Sequence, residues 1–448
     1  MIRDVQAVVI GGGPSGLAVA YALQGDTLVL EKEDTVGGLC RSIHQGGGVF
    51  DIGGHSFHTP FPEVYELVQE LLGERLFSQQ RSAWVYTHDT LIPYPFQRYY
   101  DRIPDPQVVQ ECEQGLQQTG GAEEAEDFET YILRKFGRGI AEHFMLPYNR
   151  KLWARDIKKI STEWTSERVA GPKGAREKFD TQGGQRKPLQ PDTVVGYPQQ
   201  GGYEEIYRAF LPHLPAVEVN QTVVHIDPAA HVVTTRDGRR LRYRFLVSSI
   251  PLPILVRMVA GMDPAVAALA GELEFMSLRV ELLLAGRPLD TPVQRIYVAD
   301  PAILTHKIAL NHNSSDHLRA QPVHAIMAEV SRSAEKPVDV EQIAPQTIDL
   351  LCALGILASP EDIVWKGHVD VHYAYPVYTH PRPGIVQAIK DWLAPFDIYT
   401  LGRFGDWEYI NSDKCVAKGL SLGRELRARY PLPAGMPEFQ PLEGTAND

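Results

Sequence analysis

Cysteine is scarce in this sequence, and no apolar run in it is long. The longest apolar run, about 350–358, is far shorter than the roughly 20 residues that a membrane-spanning helix needs. The first ten residues lead straight into a strand pattern without a signal segment. These features predict a protein of the reducing cytoplasm with no membrane partner. The four cysteines lie far apart without the paired spacing of a metal site: Cys40, Cys112, Cys352 and Cys415.

Basic residues are also in deficit. The 448 residues contain 56 acidic and 44 basic side chains, which gives a formal charge of -12. This balance argues against nucleic acid as a partner, although an anionic ligand would still require a local basic pocket. The apolar fraction of 44% and the charged fraction of 22% are typical of soluble globular proteins. Since the chain exceeds the size of a single core, we expect about two or three domains.

A glycine-rich turn, 11–17, is the first motif that points to a ligand. It joins an apolar run typical of a buried strand to a segment of helical composition, and the next predicted strand ends on Glu31, twenty residues after Gly11. Gly11 permits the tight turn, Gly13 lets a pyrophosphate approach the backbone, and Gly16 lets helix and strand pack closely. Glu31 can accept hydrogen bonds from the ribose hydroxyls of an adenosine. The motif therefore predicts a dinucleotide site at the amino end of the helix.

Two further glycine turns follow. The segment 35–42 carries an arginine and a hydroxyl, which suits a backbone lying against another phosphate or a ribityl chain, and a nicotinamide cofactor does not require it. The pair Gly53 and Gly54 stands beside His55, so that a flat ring could lie against bare backbone next to an imidazole. The alternative for His55 is a histidine that only ends a strand.

These turns resemble those of the large family of FAD enzymes that includes glutathione reductase, amine oxidases and UDP-galactopyranose mutase. Motifs further along the chain narrow the resemblance to UDP-galactopyranose mutase, in particular to its eukaryotic-like branch. They follow the order found in that family: Gly53-Gly54-His55, Tyr94-Pro95-Phe96-Gln97, Tyr148-Asn149 through Trp153, Glu167-Arg168-Val169-Ala170, Tyr373-Ala374-Tyr375-Pro376 and Gly402 through Tyr409.

The resemblance implies an α/β fold with a Rossmann-like FAD-binding domain, an inserted helical domain and an antiparallel β-sheet substrate domain. The segment 171–192 lacks apolar periodicity and is rich in Gly, Lys, Arg, Gln and Pro, so we interpret it as a loop that could act as a lid. The implied boundaries are 1–80, 198–255 and 365–448 for the FAD-binding domain, 100–180 for the helical domain, and 81–99 with 256–364 for the sheet domain.

FAD is the cofactor that the resemblance implies, with binding groups spread over the whole chain. No metal is implied, because the histidines lack a ligand spacing with cysteine or acidic partners. The implied FAD-binding residues are Gly11, Gly13, Pro14, Ser15, Gly16, Glu31, Lys32, Gly38, Leu39, Arg41, Ser42, Gly53, Gly54, His55, Val224, Gly402, Arg403, Tyr409 and Asn411.

The reaction of the family is an isomerisation without net redox change. N5 of reduced FAD attacks the anomeric carbon of a nucleotide sugar, the nucleoside diphosphate leaves, and the sugar recloses with the other ring size before the diphosphate returns. Oxidised flavin is inactive, so the implied partners are a UDP- or dTDP-sugar and an external reductant such as NAD(P)H or a flavin reductase. Because the cofactor is the nucleophile, the protein has to hold the leaving group, orient the sugar and exclude water.

By resemblance, Arg168 would neutralise the diphosphate, Tyr375 and Tyr409 would donate hydroxyl protons to its oxygens, and His55 would lie at the flavin face. A simpler interpretation has Tyr375, Tyr409 and Trp153 filling a core, as aromatic side chains commonly do. The implied catalytic residues are His55, Arg168, Lys307, Tyr375 and Tyr409. The implied substrate-binding residues are Tyr94, Phe96, Gln97, Asn149, Trp153, Arg168, Lys307, Tyr375 and Tyr409, with Phe96, Gln97, Asn149 and Trp153 around the nucleoside.

Lys307 departs from the family pattern. The family has a second diphosphate-binding arginine on its central sheet, and its best placement here is Lys307. Lysine keeps the positive charge but loses the bidentate fork of arginine. The alternative is an unrelated exposed lysine, with the true partner elsewhere. The departure leaves open a nucleotide sugar other than UDP-galactose, such as another hexose or a heptose.

The sequence leaves other functional classes open. An FAD-dependent oxidoreductase of the amine oxidase class would share the glycine motifs, but it would accept hydride and would not require Arg168 with a pair of tyrosines. A non-catalytic flavoprotein would bind FAD without turning over any sugar nucleotide. The oligomeric state, including a homo-oligomer, is not specified by any of these patterns.

We expect the purified protein to be yellow and to carry non-covalent FAD. The expectation depends on the glycine turn at 11–17, Glu31 and the second glycine turn acting together. Heat release of the chromophore and its identification by mass spectrometry provide the check. A nicotinamide dinucleotide as the only released cofactor would contradict the assignment.

Overall fold

Two seven-stranded sheets and a helical unit organise the part of the chain that the computed structural model describes, residues 2–172 and 193–431. The predicted loop and lid, 171–192, lies almost entirely outside the described residues. The strands are β1 (Ile2–Ile10), β2 (Thr27–Leu30), β3 (Ser42–Gln45), β4 (Gly48–Asp51), β5 (Leu76–Gln80), β6 (Ala83–Thr87), β7 (Thr90–Pro93), β8 (Val194–Pro198), β9 (Val217–Glu218), β10 (Val223–Asp227), β11 (Val232–Thr235), β12 (Arg240–Ser248), β13 (Phe275–Ala285), β14 (Arg295–Val298), β15 (Lys307–Leu310), β16 (His324–Arg332), β17 (Ile363–Pro376) and β18 (Ile398–Thr400).

Helices cover the sheets and form the inserted unit between them. They are α1 (Pro14–Leu23), α2 (Pro62–Leu72), α3 (Phe96–Tyr99), α4 (Pro106–Leu116), α5 (Phe128–Ile140), α6 (Leu146–Trp153), α7 (Thr165–Arg168), α8 (Glu205–Arg208), α9 (Leu252–Met258), α10 (Pro264–Ala270), α11 (Asp316–Arg319), α12 (Ile343–Ala353), α13 (Arg382–Leu393), α14 (Gly402–Gly405) and α15 (Ser412–Arg429). Within the described residues, no helix combines the length and the apolar character needed to cross a membrane.

The first sheet has the order β10-β11-β12-β1-β2-β9, with β18 beside β12. β1 pairs in parallel with β2 on one side and with β12 on the other, and β18 extends the parallel set along the end of β12. The carboxyl ends of these strands therefore meet at one edge, directly before the turn that leads into α1. Nearly every side chain of β2 and of the second half of β1 is buried, as expected for parallel strands with both faces covered.

Helices α1 and α15 pack closely behind this edge. A Cβ on Gly419 would come within 2.7 Å of the Ala18 side chain, and one on Gly423 within 2.6 Å of the Ala22 side chain. Only glycine therefore permits this helix spacing without a shift. The sequence predicts a helix over 418–429, whereas α15 begins earlier, at Ser412. Its first turn is polar, so no apolar period marks it.

The second sheet has the order β17-β13-β16-β15-β14-β6-β7 and is antiparallel except between β6 and β14. β17 pairs along β13, so the placement of 365–376 in the FAD-binding domain is wrong. α9 and α10 share a core with the first sheet, so the placement of 256–270 in the sheet domain is also wrong. The hydrophobic pattern of the sequence predicts each strand or helix, but it does not show which of the two sheets that element joins or packs against. The other domain boundaries stay predictions.

The helical unit packs around aromatic side chains. α5 bends at Gly137, whose φ of 71° is left-handed and where a Cβ would be 2.1 Å from the carbonyl oxygen of Gly115 in α4. Residues 141–145 form a π-helical turn that leads into α6, where the sequence predicts an α-helix. The buried aromatic core comprises Phe128, Phe136, Phe144, Trp153 and Trp164.

The architecture confirms the predicted fold class, an α/β protein with a Rossmann-like domain, inserted helices and an antiparallel sheet. The sequence predicts a helix that follows 198–203 and runs through Phe210, and the helix found there, α8, is shorter. It ends at Arg208, and a 3-10 turn over 211–213 follows, where Pro212 cannot continue a helical hydrogen-bond ladder.

Replacing Gly16 by alanine should destabilise the protein. A Cβ at this position would lie 1.9 Å from the carbonyl oxygen of Gly11, so α1 would have to move away from the turn. We expect the free energy of unfolding to fall by about 1–3 kcal/mol, measured by urea denaturation of the apoprotein. Gly384 in α13 is the matched control, because a Cβ there meets no atom within 4 Å. Gly384→Ala should be at least as stable as the wild type, and equal stability of the two variants would contradict the close packing.

Candidate functional site

The glycine turn after β1 forms a cradle for phosphate groups. Gly11 has a left-handed φ of 102°, and Gly13 precedes α1 without a side-chain cap or an acidic residue in the first turn of the helix. The second glycine turn lies against the first, since a Cβ on Gly38 would be 3.3 Å from the Cα of Gly13. The positive amino end of α1 and this close backbone approach fit a pyrophosphate.

Glu31 ends β2 beside the cradle. Its buried carboxylate accepts a hydrogen bond from the N–H of Gly12 at 2.7 Å and another from the N–H of Glu33 at 2.9 Å. Each carboxylate oxygen keeps a second lone pair, which can accept from a ribose hydroxyl. The chain thus offers groups for both the phosphates and the ribose of a dinucleotide.

Three implied FAD-binding residues lie around Glu31 and the turn that follows it. Lys32 and Arg41 pair with Glu33 at 3.0 and 3.1 Å. Val224 is 43% exposed in β10, and the preceding segment contacts β2 because the Gln221 N–H donates to the Glu31 carbonyl oxygen at 2.8 Å. Lys32 and Arg41 therefore lie close to Glu31, whereas the assignment of Val224 to FAD stays a prediction.

A cavity of about 350 Å³ lies between the second glycine turn, the helical unit and the second sheet. Its walls come from the 52–58 turn, α6, α7, β15, β17 and the segment that joins α14 to α15. The topology thus brings together residues separated by most of the chain. The sequence-predicted residues on its wall are Leu39, Gly53, Gly54, His55, Tyr94, Gln97, Asn149, Arg168, Lys307, Tyr375, Arg403, Tyr409 and Asn411.

Two predicted substrate residues are not on the wall. Phe96 is fully buried and stacks on Phe144, with ring centroids 5.0 Å apart. Trp153 is 1% exposed and packs against Trp164 at 5.0 Å. Both side chains therefore lie behind those that line the cavity, in agreement with the simpler interpretation of Trp153, and their roles toward a substrate stay predictions. The motif gives the residue type, whereas the helix orientation decides which face meets the cavity.

Arginine and tyrosine side chains alternate across one wall of the cavity. The guanidinium of Arg168 lies 4.3 Å from the ring centroid of Tyr409, and that of Arg403 lies 5.5 Å from Tyr409 and 4.9 Å from Tyr375. Arg168 also donates to the Tyr409 carbonyl oxygen at 2.8 Å and to the side chain of Asn411. We call these four residues, Arg168, Arg403, Tyr375 and Tyr409, the arginine–tyrosine cluster. Stacking on aromatic faces stabilises the cations and orients the phenols.

Two arginines on the wall, Arg81 and Arg295, were not predicted from the sequence. Arg81 donates to the Tyr297 hydroxyl at 2.8 Å and lies over the Tyr94 ring at 4.7 Å. Arg295 donates to the carbonyl oxygens of Gln294 and His55, so it holds the 52–58 turn from the side of β14. The sequence shows each of them only as a basic residue beside or within a predicted strand of an acidic protein. This pattern does not reveal which face of the sheet the side chain occupies.

Lys307 lies on the cavity wall with its side chain only 16% exposed, so it is not an exposed surface lysine, and its role toward a diphosphate stays a prediction. Its ammonium is 2.7 Å from a carboxylate oxygen of Glu329 on the neighbouring strand. Burial disfavours the ammonium, but Glu329 beside it outweighs this effect and raises the pKa of Lys307. Lys307 is therefore a charged, ion-paired residue, and the sequence analysis had not identified Glu329.

His55 lies partly buried beside the glycine pair and stacks on Tyr203, with ring centroids 4.8 Å apart. Burial lowers its pKa to about 3, and the nearby cations Lys307, Arg295 and Arg403 add to the effect. The imidazole is thus neutral at physiological pH and contributes no charge to the cavity.

Two amides face the cavity from the helical unit. The Gln97 amide donates to the Ala170 carbonyl oxygen at 2.7 Å, and the Asn149 amide donates to the Met145 carbonyl oxygen at 2.7 Å. Each amide therefore has its N–H₂ group held by backbone while its oxygen can accept from a ligand. Among the residues of 2–172 and 193–431, no group of three His, Cys, Asp or Glu side chains is placed to hold a metal ion.

Known proteins similar to this chain are flavoenzymes. A family model for NAD(P)-binding Rossmann-like domains matches residues 9–71. Coproporphyrinogen III oxidase of Mycobacterium tuberculosis (strain ATCC 25618 / H37Rv) is 24% identical over 415 residues, 86% of this chain and 90% of that protein. The crystal structure of reduced UDP-galactopyranose mutase is 28% identical, with a TM-score of 0.85 over 95% of this chain and 96% of that chain. Wild-type putrescine oxidase bound to putrescine is 14% identical with a TM-score of 0.68 over 96% and 100%, a likeness of fold alone.

The Rossmann-like cradle and these similarities define an FAD-dependent enzyme, which confirms FAD as the cofactor. More narrowly, the chain has a UDP-galactopyranose mutase-like fold, which confirms the resemblance found in the sequence. The same fold also relates it to amine and porphyrinogen oxidases.

Asp51 anchors the strand that leads into the glycine pair. Its fully buried carboxylate accepts from the Ser42 hydroxyl at 2.7 Å, the Tyr197 hydroxyl at 2.8 Å and the Tyr203 N–H at 3.1 Å. Burial raises its pKa to about 6, although the hydrogen bonds from Ser42, Tyr197 and Tyr203 oppose the rise. Ser42, an implied FAD-binding residue, is therefore also a support for this turn.

The raised pKa of Asp51 predicts a pH dependence of stability. Because the folded protein binds this proton more tightly than the unfolded chain does, the stabilising effect is present at low pH and is lost as the pH rises through about 6. Compared with Asp51→Asn, the wild type should lose on the order of 3 kcal/mol of unfolding free energy between about pH 4 and neutral pH. Urea denaturation of both apoproteins across this range is the measurement, and a difference that does not change with pH would contradict the assignment.

Proposed function

We propose that the protein is an FAD-dependent nucleotide-sugar mutase that interconverts pyranose and furanose forms of UDP-galactose or a related nucleotide sugar. The observation that carries the proposal is the arginine–tyrosine cluster on a cavity that also contains the Gly53–His55 turn. A fixed pair of guanidinium groups in an acidic protein suits a ligand with a diphosphate. The similarity to reduced UDP-galactopyranose mutase supports the same function.

Reduced FAD, when bound, would supply a nucleophilic nitrogen for the anomeric carbon of the sugar. The chain itself would hold the departing diphosphate and keep the sugar in place. Arg168 would bind the diphosphate oxygens, and the hydroxyls of Tyr375 and Tyr409 would donate to them. Burial, with Glu329 nearby, raises the pKa of Tyr375 to about 12, so this hydroxyl keeps its proton at physiological pH and can act as a donor.

The Gly53–Gly54 turn would form the surface on which the flavin ring lies. A side chain at Gly54 would collide with Arg295 and Ala309, so the turn presents backbone only. Neutral His55 beside it would contact the flavin face without competing with the diphosphate for the cations. Glycines and a neutral imidazole thus leave the electrostatics of the site to the arginines and to the Lys307–Glu329 pair.

The nucleoside would lie among Tyr94, Gln97 and Asn149 on the helical side of the cavity. The amide oxygens of Gln97 and Asn149 can accept from the base or the ribose, because their N–H₂ groups already donate to backbone. Phe96 and Trp153 would support this wall from the aromatic core behind it. A uracil or thymine base fits these neutral hydrogen-bonding groups.

The external reductant of the flavin would be NAD(P)H or a flavin reductase.

An oxidase is the second candidate function. The observation that favours it is the similarity to coproporphyrinogen III oxidase over 86% of this chain. A porphyrinogen with several carboxylates would also be attracted by a cationic cavity. The two candidates differ in stoichiometry, because an oxidase consumes an electron acceptor with every turnover.

Turnover should require reduced flavin without consuming reductant. We expect an anaerobic assay with UDP-galactofuranose and a catalytic amount of dithionite to yield many molecules of product per reducing equivalent. The reason is that the proposed chemistry returns the cofactor unchanged. Chromatography of the sugar nucleotides with ring-size assignment gives the product count. Oxidation of coproporphyrinogen III with stoichiometric oxygen uptake, and no sugar nucleotide conversion, would favour the oxidase.

Arg168→Ala should weaken sugar-nucleotide binding and slow the substrate-dependent absorbance change of the reduced enzyme. Loss of a buried charge partner of the diphosphate should cost on the order of 2–5 kcal/mol in total, measured by stopped-flow titration. FAD content should not change, because Arg168 is assigned to the substrate. Arg150→Ala is the control, since that arginine lies on the same helical unit but its side chain is 53% exposed and pairs with Glu129. Unchanged affinity and rate in Arg168→Ala would place the diphosphate elsewhere.

A further inference from the structure

Glu329 lies beneath the Gly53–Gly54 turn with almost no contact with solvent. Its side chain is 1% exposed, although one edge reaches the cavity wall. One carboxylate oxygen accepts from the Gly54 N–H at 2.7 Å, and the same oxygen is 2.7 Å from the ammonium of Lys307. Neither the glycine motifs nor the arginine–tyrosine cluster explains a carboxylate at this place.

The sheet register makes this arrangement a fixed one. Lys307 on β15 and Glu329 on β16 are direct cross-strand partners, and the His306 N–H donates to the Glu329 carbonyl oxygen at 3.0 Å. Side chains that face each other on neighbouring strands share one face of the sheet. The second sheet therefore presents an ion pair, with the glycine turn held directly against it.

A second side chain of the same sheet also holds the turn. Arg295 on β14 donates to the His55 carbonyl oxygen and packs so closely on Gly54 that a Cβ there would be 2.7 Å from its Nε atom. A Cβ on Gly53 would be 3.1 Å from Glu329. Two oppositely charged side chains from the second sheet thus hold a turn that belongs to the FAD-binding part of the chain.

We infer that Glu329 is a positioning residue that fixes the Gly53–Gly54 turn. Its carboxylate also neutralises the electrostatic effect that the Lys307 ammonium would otherwise have on the flavin and on the leaving group. The inference rests on the proposed placement of the flavin ring on this turn. An uncompensated ammonium there would favour the anionic reduced flavin and would attract a diphosphate more strongly. With Glu329 present, Lys307 contributes no net charge, and Arg168 with Arg403 carries the anion binding.

Three variants of the holoenzyme separate charge from shape. Glu329→Gln keeps an acceptor for the Gly54 N–H but leaves the positive charge of Lys307 uncompensated. Lys307→Met removes the ammonium and leaves the negative charge of Glu329 uncompensated. The double variant Glu329→Gln/Lys307→Met removes both charges. The control is Glu281→Gln. Glu281 is also buried and ion-paired, with Arg279, but it lies one strand further on and opposite Ala328, hence on the other face of the sheet.

The measurements are the midpoint potential of the bound FAD and the affinity of the oxidised holoenzyme for UDP. Glu329→Gln should raise the potential and tighten UDP binding on the order of tenfold. The double variant should return both values close to those of the wild type, and Glu281→Gln should leave both unchanged. A potential and an affinity in Glu329→Gln equal to or below those of the wild type would overturn the inference.

If Glu329→Gln does not yield a folded holoenzyme, Lys307→Met and the double variant decide. A lower potential in Lys307→Met than in the double variant supports the inference, and equal potentials overturn it. The outcome is separate from that of the proposed function, because a midpoint potential needs no turnover. Shifted potentials without any sugar nucleotide conversion would refute the mutase proposal but support the role inferred for Glu329. Conversion of the sugar nucleotide with an unshifted potential in Glu329→Gln would support the mutase proposal but refute the role inferred for Glu329.

Discussion

The collection of cationic side chains along one cavity is the constraint on which the site depends. A cation withdrawn from water is costly unless it is paired or hydrogen-bonded, and the cations here have partners of different kinds. Lys307 has a carboxylate partner, Arg295 donates to backbone carbonyls, and Arg168 and Arg403 lie on tyrosine rings. These contacts join both sheets, the helical unit and the segment before α15. The cations lining the cavity are Arg81, Arg168, Arg295, Lys307 and Arg403.

Only part of this arrangement could be predicted from the sequence. The dinucleotide cradle was accessible because its determinants are local. A left-handed Gly11, a close approach at Gly16 and a carboxylate at the end of the next strand all follow from short spacings. The antiparallel sheet and the inserted helices were expected from the resemblance to the mutase family. The resemblance to the mutase family then placed Arg168, Tyr375 and Tyr409 on one cavity wall.

The features that were missed depend on register and orientation. Glu329 meets Lys307 only because β15 and β16 pair in one register, and no spacing in the sequence reveals that partnership. Arg295 becomes a support for the turn at His55 because it lies on the cavity face of β14. Phe96 and Trp153 stand in the expected motifs, but the packing of their helices turns them toward the core. Burial of each side chain is a tertiary property, whereas a motif specifies only residue type and spacing.

The proposed function requires that the bond between the anomeric carbon and the diphosphate breaks and re-forms on this protein. Positional isotope exchange measures this step, with UDP-galactose that carries oxygen-18 in the bond between the sugar and the diphosphate. The label should move into non-bridging phosphate positions when the flavin is reduced and stay in place when the flavin is oxidised. A label that stays in the bridging position of UDP-galactose recovered from the reduced, FAD-loaded protein would show that this bond does not break there.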